Sequence, residues 1–229
     1  MKKLFTFSVL FFLVFVLKAE TIEKTWNIQA PMISNWDGFQ IVNFENSMLT
    51  GRAGEPSLPY MAVKFLLPAG ESATSIEFIG EDEIQLPGYF KLFPYQPSRP
   101  ISEGKSGQFI MNDEIYSADL SYPKNSTGEI VTQYLNGYAI AMSSFTPVKY
   151  NPSTGTVSYF KKVKINVTTA PDSKSSAALQ NLISNDYPIN KISDFVQNTG
   201  FINSYPKKTK VSGYQMLIIT PAQFETNFQ

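Results

Sequence analysis

The stretch from residue 145 to residue 168 constrains the fold most, because it has the pattern of a β-hairpin. Its turn, Asn151-Pro152-Ser153-Thr154-Gly155, is built from residues that favour tight turns. After the turn the apolar positions are Val157, Tyr159, Val163, Ile165 and Val167, and the polar positions are Ser158, Lys162, Lys164, Asn166 and Thr168. This alternation predicts a strand with one buried and one solvated face. Phe160 and Lys161 break the alternation, so we expect them near a sheet edge or a β-bulge.

A second strand is predicted between the prolines of residues 54–68. Pro56 and Pro59 favour an extended backbone at its entry, and Pro68 lacks the amide that would continue the pairing. Further strands are predicted at residues 25–30, 39–44, 75–80, 108–111 and 130–144, the last interrupted near Asn136-Gly137. Many short strands, with no strong helix before residue 170, predict a mainly β protein with an antiparallel β-sandwich or jelly-roll-like fold.

Residues 86–100 contain four prolines among several aromatic side chains, which is too much proline for a central strand. We therefore expect an extended excursion anchored by its aromatic residues. The segment that follows, residues 98–107, is polar and contains glycine, so it is predicted to be an exposed loop. This loop carries Arg99 and Lys105.

The first nineteen residues have the pattern of a secretory signal peptide. Lys2 and Lys3 precede an apolar run at residues 4–17, and the segment ends at the small residue Ala19. The run is shorter than the roughly 18 to 20 apolar residues that a membrane span needs. We expect cleavage after Ala19 and a protein that is secreted or held at the cell surface, with no membrane contact once the signal is removed.

Charge argues against nucleic acid as a partner. Removal of residues 1–19 leaves 16 basic residues against 19 acidic ones, a net charge of −3. The one basic cluster, Lys207-Lys208-Thr209-Lys210, is too short to follow a phosphate backbone.

The chain contains neither cysteine nor histidine. Disulfides are therefore impossible, as are zinc sites built on thiolate or imidazole and the Ser/His/Asp and Cys/His arrangements of hydrolases. The carboxylate groups Glu81-Asp82-Glu83 and Asp113-Glu114 fall in segments that are predicted to be exposed turns, where solvated charge is the simplest interpretation. We expect no cofactor, no metal and no catalysis from this chain.

The composition changes at residue 170. Residues 171–212 are predicted to be a linker with short helices at 177–183 and 192–196. Residues 213–229 then combine an apolar strand at 214–220 with a helix start, in which Thr220 is the N-cap and Pro221 the first helical residue. Since one βα unit cannot form an α/β sheet, we expect a truncated α/β domain.

These features together resemble the N-terminal propeptide of gingipain-like cysteine peptidases. The motifs that carry the resemblance occur in order: Gly54-Glu55-Pro56-Ser57-Leu58-Pro59, Leu66-Leu67-Pro68-Ala69-Gly70, Tyr122-Pro123, and Pro147-Val148-Lys149-Tyr150-Asn151-Pro152 with its hairpin. Residues 214–224 resemble the first strand and helix of the peptidase domain. The catalytic His and Cys of the family would lie beyond Gln229.

Behind the signal peptide at residues 1–19, the resemblance implies a β-sandwich prodomain at 20–170, a maturation region at 171–212 and the start of the peptidase domain at 213–229. Such a prodomain assists folding and keeps its own cysteine peptidase domain latent, and it is removed by proteolysis. Carried onto this sequence, the inhibitory loop is 98–107, with Arg99, Pro100 and Lys105. Pro100 favours an extended backbone at Arg99 and makes the next peptide bond a poor substrate.

Two interpretations stay open from sequence. Lys207, Lys208 and Lys210 are predicted to be the maturation cleavage region, because exposed tethers are where proteolysis occurs, although they could equally be solvating lysines. The alternative function is a secreted carbohydrate-binding or adhesion module with an aromatic platform. That platform would consist of Trp26, Trp36, Tyr89, Phe90, Phe93 and Tyr95.

Overall fold

The computed structural model describes residues 20–98, 100, 102, 108–183, 186–207 and 221. The strands are β1 (Glu20–Asn27), β2 (Met32–Trp36), β3 (Phe39–Asn43), β4 (Met48–Thr50), β5 (Leu58–Leu66), β6 (Glu71–Gln85), β7 (Val131–Leu135), β8 (Tyr138–Phe145), β9 (Val148–Asn151) and β10 (Thr156–Pro171). The helices are α1 (Asp113–Ser117), α2 (Ser173–Ala178) and α3 (Asp186–Phe195), with short 3₁₀ turns at Leu179–Asn181 and Ile202–Ser204.

The long strand β10 organises the first sheet, whose order is β1-β10-β6, with β9 pairing at the start of β10. One edge of β10 pairs with β6 from Ser158 to Pro171. The other edge pairs first with β9 and then with β1. The predicted hairpin is therefore confirmed, including the turn, where the Asn151 side-chain oxygen accepts hydrogen bonds from the amides of Ser153 and Thr154.

Phe160 and Lys161 lie where β10 changes partner. The Phe160 amide donates to the Pro147 carbonyl at 3.0 Å, and the Lys161 carbonyl accepts from the Ile28 amide at 2.7 Å. The register with β6 is continuous here and shifts instead between Thr168 and Thr169. The broken alternation thus marks a junction between two partner strands, and the register shift lies elsewhere.

The second sheet has the order β4-β5-β8-β7, and it packs face to face on the first sheet. Aromatic contacts join the two inner faces: the Trp26 ring lies 6.1 Å from Phe65 and 5.0 Å from Phe145, and Phe78 lies 6.2 Å from Phe145. The core between the sheets is continuous. The protein is a mainly antiparallel β-sandwich, as the strand pattern predicted.

The outer face of the first sheet carries paired charges. Lys162 Nζ lies 2.6 Å from Glu81, and Lys149 Nζ lies 3.0 Å from Glu83. The hydrogen bond from Lys162 lowers the pKa of Glu81, and one from Ser158 lowers the pKa of Glu83. Both carboxylates therefore belong to a cross-strand charge ladder on β6, and the predicted exposed turn at 81–83 is wrong.

The outer face of the second sheet is covered by the C-terminal helices. Leu182, Ile192, Val196 and Tyr205 are buried there against Leu66 and Tyr138, and they form a second hydrophobic cluster. Helices were predicted in this region at 177–183 and 192–196, whereas α2 and α3 begin earlier, at Ser173 and Asp186. Within the described ranges, no helix is long and apolar enough to span a membrane.

The predicted strand at 108–111 is wrong. These residues pair with no strand, and the side-chain amide of Gln96 instead bonds to both the amide and the carbonyl of Ile110. Where strands do form, the segment at 25–30 was predicted too far along the chain, since β1 runs from Glu20 to Asn27, and the segment at 75–80 was predicted too short. The strands β2 and β4 were not predicted. The interruption near Asn136-Gly137 is confirmed as the tight turn between β7 and β8, where both residues have positive φ.

Gly80 on β6 offers a test of this packing. A Cβ atom at position 80 would stand 2.5 Å from the ring of Phe160, a buried side chain of β10 that also contacts Phe78. We expect Gly80→Ala to lower the free energy of unfolding by about 1–3 kcal/mol, because the ring must leave its place. Urea unfolding measures this. Gly200→Ala is the control: its Cβ meets nothing within 4 Å, so it should leave stability unchanged or raise it by less than about 1 kcal/mol.

Candidate functional site

The 98–107 loop begins from backbone pairing with residues 54–57, which directly precede β5. The Gly54 amide donates to the Tyr95 carbonyl at 2.8 Å, the Tyr95 amide donates to the Glu55 carbonyl at 2.7 Å, and the Ser57 amide donates to the Phe93 carbonyl at 2.9 Å. Pro56 and Pro94 also form an isolated antiparallel bridge. The chain that leads into the loop is therefore held as an extended segment along the 54–57 box.

The chain that returns from the loop is fixed to the same box. The Asn112 amide donates to the Gly54 carbonyl at 2.9 Å. The Gln96 side chain then joins the two stems: its oxygen accepts from the Ile110 amide at 2.9 Å, and its nitrogen donates to the Ile110 carbonyl at 2.7 Å. The two stems are thus closed at residues 96 and 110 by one side chain that takes the place of a strand.

Gly54 can only be glycine at this junction. Its φ is +81°, and a Cβ there would lie 2.9 Å from the Ile110 side chain and 3.1 Å from the Asn112 amide nitrogen. The Gly-Glu-Pro box that carried the family resemblance is therefore the segment to which both stems of the loop bond.

Three phenylalanine rings stabilise the loop base from the side. Phe39 of β3 lies 5.7 Å from Phe93 on the outgoing stem and 5.7 Å from Phe109 on the returning stem, and Phe93 and Phe109 are 6.1 Å apart. Lys91 Nζ lies 5.0 Å from the centre of the Phe39 ring. The rings hold the stems near each other while half of Phe109 stays exposed.

Glu55 ties the box to a third segment of chain. Its carboxylate accepts a hydrogen bond from the Tyr122 hydroxyl at 2.9 Å. Burial, with this bond to a carboxylate, raises the pKa of the Tyr122 hydroxyl, so the hydroxyl remains a donor. Tyr122 exchanges both backbone hydrogen bonds with Tyr150, at 2.7 and 2.8 Å, and its bond to Pro123 is cis.

Only some of the site residues predicted from sequence lie within the part of the chain that the structure describes. Pro100 is exposed. Arg99 and Lys105 lie outside the described residues, and so do Ala19, Lys208 and Lys210. Lys207 is described and exposed. The predicted strand and helix at 213–229 also lie outside the described residues, apart from the exposed Pro221.

The segment before Lys207 is attached to the sandwich through the free edge of β5. The Gln197 side chain accepts from the Lys64 amide at 2.8 Å and donates to the Ala62 carbonyl at 2.9 Å. The Asn198 side chain accepts from the Leu66 amide at 2.7 Å and donates to the Leu66 carbonyl at 3.0 Å. Two side-chain amides thus satisfy a strand edge that would otherwise be open to pairing.

Tyr205 is the last anchor before Lys207. Its buried hydroxyl donates to the Leu67 carbonyl at 2.9 Å and accepts from the Ala139 amide at 3.0 Å. Burial raises the pKa of this hydroxyl to about 12. Tyr205 is therefore anchored in the core, whereas the next two residues, Pro206 and Lys207, are exposed.

Sequence reasoning missed Gln96, Gln197, Asn198 and Tyr205. A side-chain amide that replaces a strand has no periodic signal, because its partner is remote in the chain. The proline-rich excursion at 86–100 was the one available hint that backbone pairing there would need a substitute.

The proposed sugar-binding aromatic residues do not form one platform. Trp26 packs between the two sheets, Phe90 is buried, Phe93 belongs to the loop base, and Tyr95 contacts Gly51. Trp36 and Tyr89 are exposed. Most of the six side chains therefore serve packing.

The fold and the loop base define a β-sandwich that presents a loop from a rigid base. Among protein families, the model described as Propeptide_C25 matches residues 20–197, and the chain belongs to this propeptide family. Among curated proteins, no significant match is found.

Two solved structures have a similar fold. One, from work on the zymogenic latency of gingipain K from Porphyromonas gingivalis, has a TM-score of 0.56 at 19% identity, covering 66% of this chain and 88% of that chain. The other, a complex of the pro- and mature domains of Porphyromonas gingivalis RgpB, has a TM-score of 0.59 at 12% identity, covering 81% of this chain and 96% of that chain. At these identities the likeness is one of fold.

The Gln96 bridge can be tested by amide hydrogen exchange. We expect Gln96→Ala to speed exchange at the Ile110 amide by roughly 5–30-fold, because one or two hydrogen bonds worth about 1–2 kcal/mol in total are lost. Gln96→Glu is the matched variant: it can still accept from the Ile110 amide but cannot donate to the Ile110 carbonyl, so its effect should be smaller. Exchange at Val163 in the core serves as reference. An Ile110 amide that is equally protected in Gln96→Ala would contradict the bridge.

Proposed function

We propose that this chain is the exported prodomain of a gingipain-like cysteine endopeptidase, and that it assists the folding of its peptidase domain and keeps that domain latent. The observation that carries the proposal is the loop base: residues 54–57, Gln96 and the three phenylalanines hold both stems of one loop. Membership of the propeptide family supports the role. The solved complex of pro- and mature domains in RgpB supports the choice of partner, the peptidase domain of the same chain.

In this proposal the 98–107 loop occupies the active-site cleft in substrate-like form. A loop whose stems are already ordered loses less conformational entropy on binding than a free peptide does. Arg99 enters the specificity pocket, and Pro100 makes the peptide bond between Arg99 and Pro100 a poor substrate for cleavage. Covalent attachment gives the loop a high effective concentration at its own peptidase.

The division of the chain follows from this role. We propose a signal peptide at residues 1–19, cleaved after Ala19 during export to the cell surface or medium, and a prodomain that starts at residue 20. The sandwich at 20–170 is the inhibitory body. Residues 171–212 lead to the peptidase, and of these the described part up to Tyr205 packs on the second sheet. Residues 213–229 begin the peptidase domain.

Arg99 provides the direct test of latency. Arg99→Ala should raise the inhibition constant of this chain against its peptidase domain by about 30-fold or more, because a charge pair buried in the pocket, worth about 2 kcal/mol or more, is lost. Lys105→Ala, on the same loop, should change inhibition less than threefold. An unchanged inhibition constant for Arg99→Ala, or a large effect confined to Lys105→Ala, would remove Arg99 from the proposed role.

Maturation is proposed to occur at Lys207, Lys208 or Lys210. The Tyr205 anchor and the exposure of Lys207 support this position, since proteases need an extended, unpacked chain. N-terminal sequencing of the secreted peptidase should place its first residue between 208 and 211. Replacing all three lysines with glutamine should slow processing by tenfold or more while leaving the melting temperature unchanged. A mature start within residues 20–205 would contradict the assignment.

A further inference from the structure

The two-stranded ribbon of β2 and β3 presents an apolar face beside the loop base. The register places Trp36 opposite Phe39, Ser34 opposite Ile41, and Met32 opposite Asn43, so all six share one face. We call Met32, Trp36, Phe39 and Ile41 the ribbon face. The other side of the ribbon carries Val42, which is fully buried in the sandwich core.

The ribbon face is apolar, yet two of its large side chains are mostly exposed to solvent. Trp36 is 64% exposed and Met32 is 60% exposed, and every residue of β2 is exposed. Large apolar side chains concentrated on a five-residue strand mark a surface that is used for association. Trp36 is also the side-chain type most often found at the energetic centre of protein interfaces.

The two edges of the ribbon differ. The edge of β3 is closed, because the Gln40 amide donates to the Lys91 carbonyl at 2.9 Å and the Gln40 carbonyl accepts from the Phe93 amide at 2.9 Å. Within the described ranges, β2 pairs with β3 and with no other strand. The stem that leads to the loop therefore bonds to the edge of β3. The opposite edge of the ribbon, that of β2, pairs with no described strand.

The ribbon face is continuous with the loop base. Trp36 pairs across the ribbon with Phe39, and the Phe39 ring contacts Phe93 and Phe109 on the two stems. Phe109 is 48% exposed and extends the apolar surface toward the loop. Lys91 and Asp37 lie at its border as polar groups, an arrangement typical of an interface with a polar rim.

The size of the loop shows why such a surface is needed. A stable protein–protein interface uses roughly 20 to 30 residues on each side and buries about 800 Å² per partner. The ten residues of the 98–107 loop cannot supply that area alone. A partner whose cleft receives the loop must also lie against the surface beside the loop base.

We propose that the ribbon face is the second docking surface for the peptidase domain of the same chain. This inference rests on the proposed function, because it assigns the surface to the partner that the loop inhibits. The loop blocks the active site, and the ribbon face supplies buried apolar area that slows dissociation and fixes the angle at which the loop enters. Its occupant is an apolar patch on the rim of the peptidase cleft.

The test uses this chain, the peptidase domain that we propose follows residue 212, and the double variant Met32→Ser/Trp36→Ser. We expect the variant to dissociate from the peptidase at least tenfold faster, with a matching rise in the inhibition constant. Its association rate and melting temperature should stay close to those of the parent, since both side chains are exposed in the free chain. Tyr187→Ser on α3 is the matched control, because Tyr187 is 67% exposed on a different surface. It should behave as the parent.

The outcomes separate the two proposals. If the parent inhibits and the double variant inhibits equally well, the ribbon face is not a docking surface, although the latency role stands. If the parent chain itself fails to inhibit, the proposed function fails and the inference with it. A second copy of this chain as the occupant would appear as a concentration-dependent dimer in sedimentation that the double variant abolishes without any effect on inhibition, and that result would overturn the assignment.

Discussion

The arrangement of the loop depends on the backbone pairing of four residues, Gly54 to Ser57. Both stems of the 98–107 loop bond to this short box, and the box continues directly into β5 of the second sheet. Any movement of the loop base must therefore move a strand whose side chains fill the sandwich core. This coupling makes the base of the loop rigid, and ordered stems would lower the entropy cost of the proposed insertion of the loop into a cleft.

The sequence predicts the sandwich well because its signals are local. Alternation in Val157–Thr168, the Asn-Pro turn and the Asn136-Gly137 turn each act over a few residues, and each was found as a strand or turn. The loop base was only half predictable. The prolines of 86–100 correctly indicated an extended, anchored excursion. The strand predicted at 108–111 is wrong, because the side chain of Gln96 takes the backbone bonds of Ile110 that a partner strand would take.

The C-terminal segment shows the same limit. Its composition indicated a linker with short helices, since it lacks a long amphipathic pattern. The structure instead places Ile192, Val196 and Tyr205 in a hydrophobic cluster on the second sheet, and Gln197 and Asn198 bond to the free edge of β5. The bonds from Gln197 and Asn198 join residues more than 130 positions apart, so no window of sequence contains them. They also cover an edge that would invite pairing with another chain.

The two anchors of the proposed zymogen lie at opposite ends of one strand. The loop base precedes Leu58, the first residue of β5, while Tyr205 is bonded to Leu67, just past its end. The nine residues of β5 lie between Ser57 and Leu67, so ten residue-to-residue steps separate the two, a distance of about 33 Å at 3.3 Å per step. The eight residues from 206 to 213 can span at most about 29 Å when fully extended. In the proposed zymogen, a peptidase domain that begins near residue 214 would start within that reach of Tyr205 and would extend along the side of the sandwich to meet the loop. On this proposal, cleavage in the tether would remove the covalent link but leave the contacts of the loop and the ribbon face in place, so the prodomain would remain bound until those contacts themselves are lost.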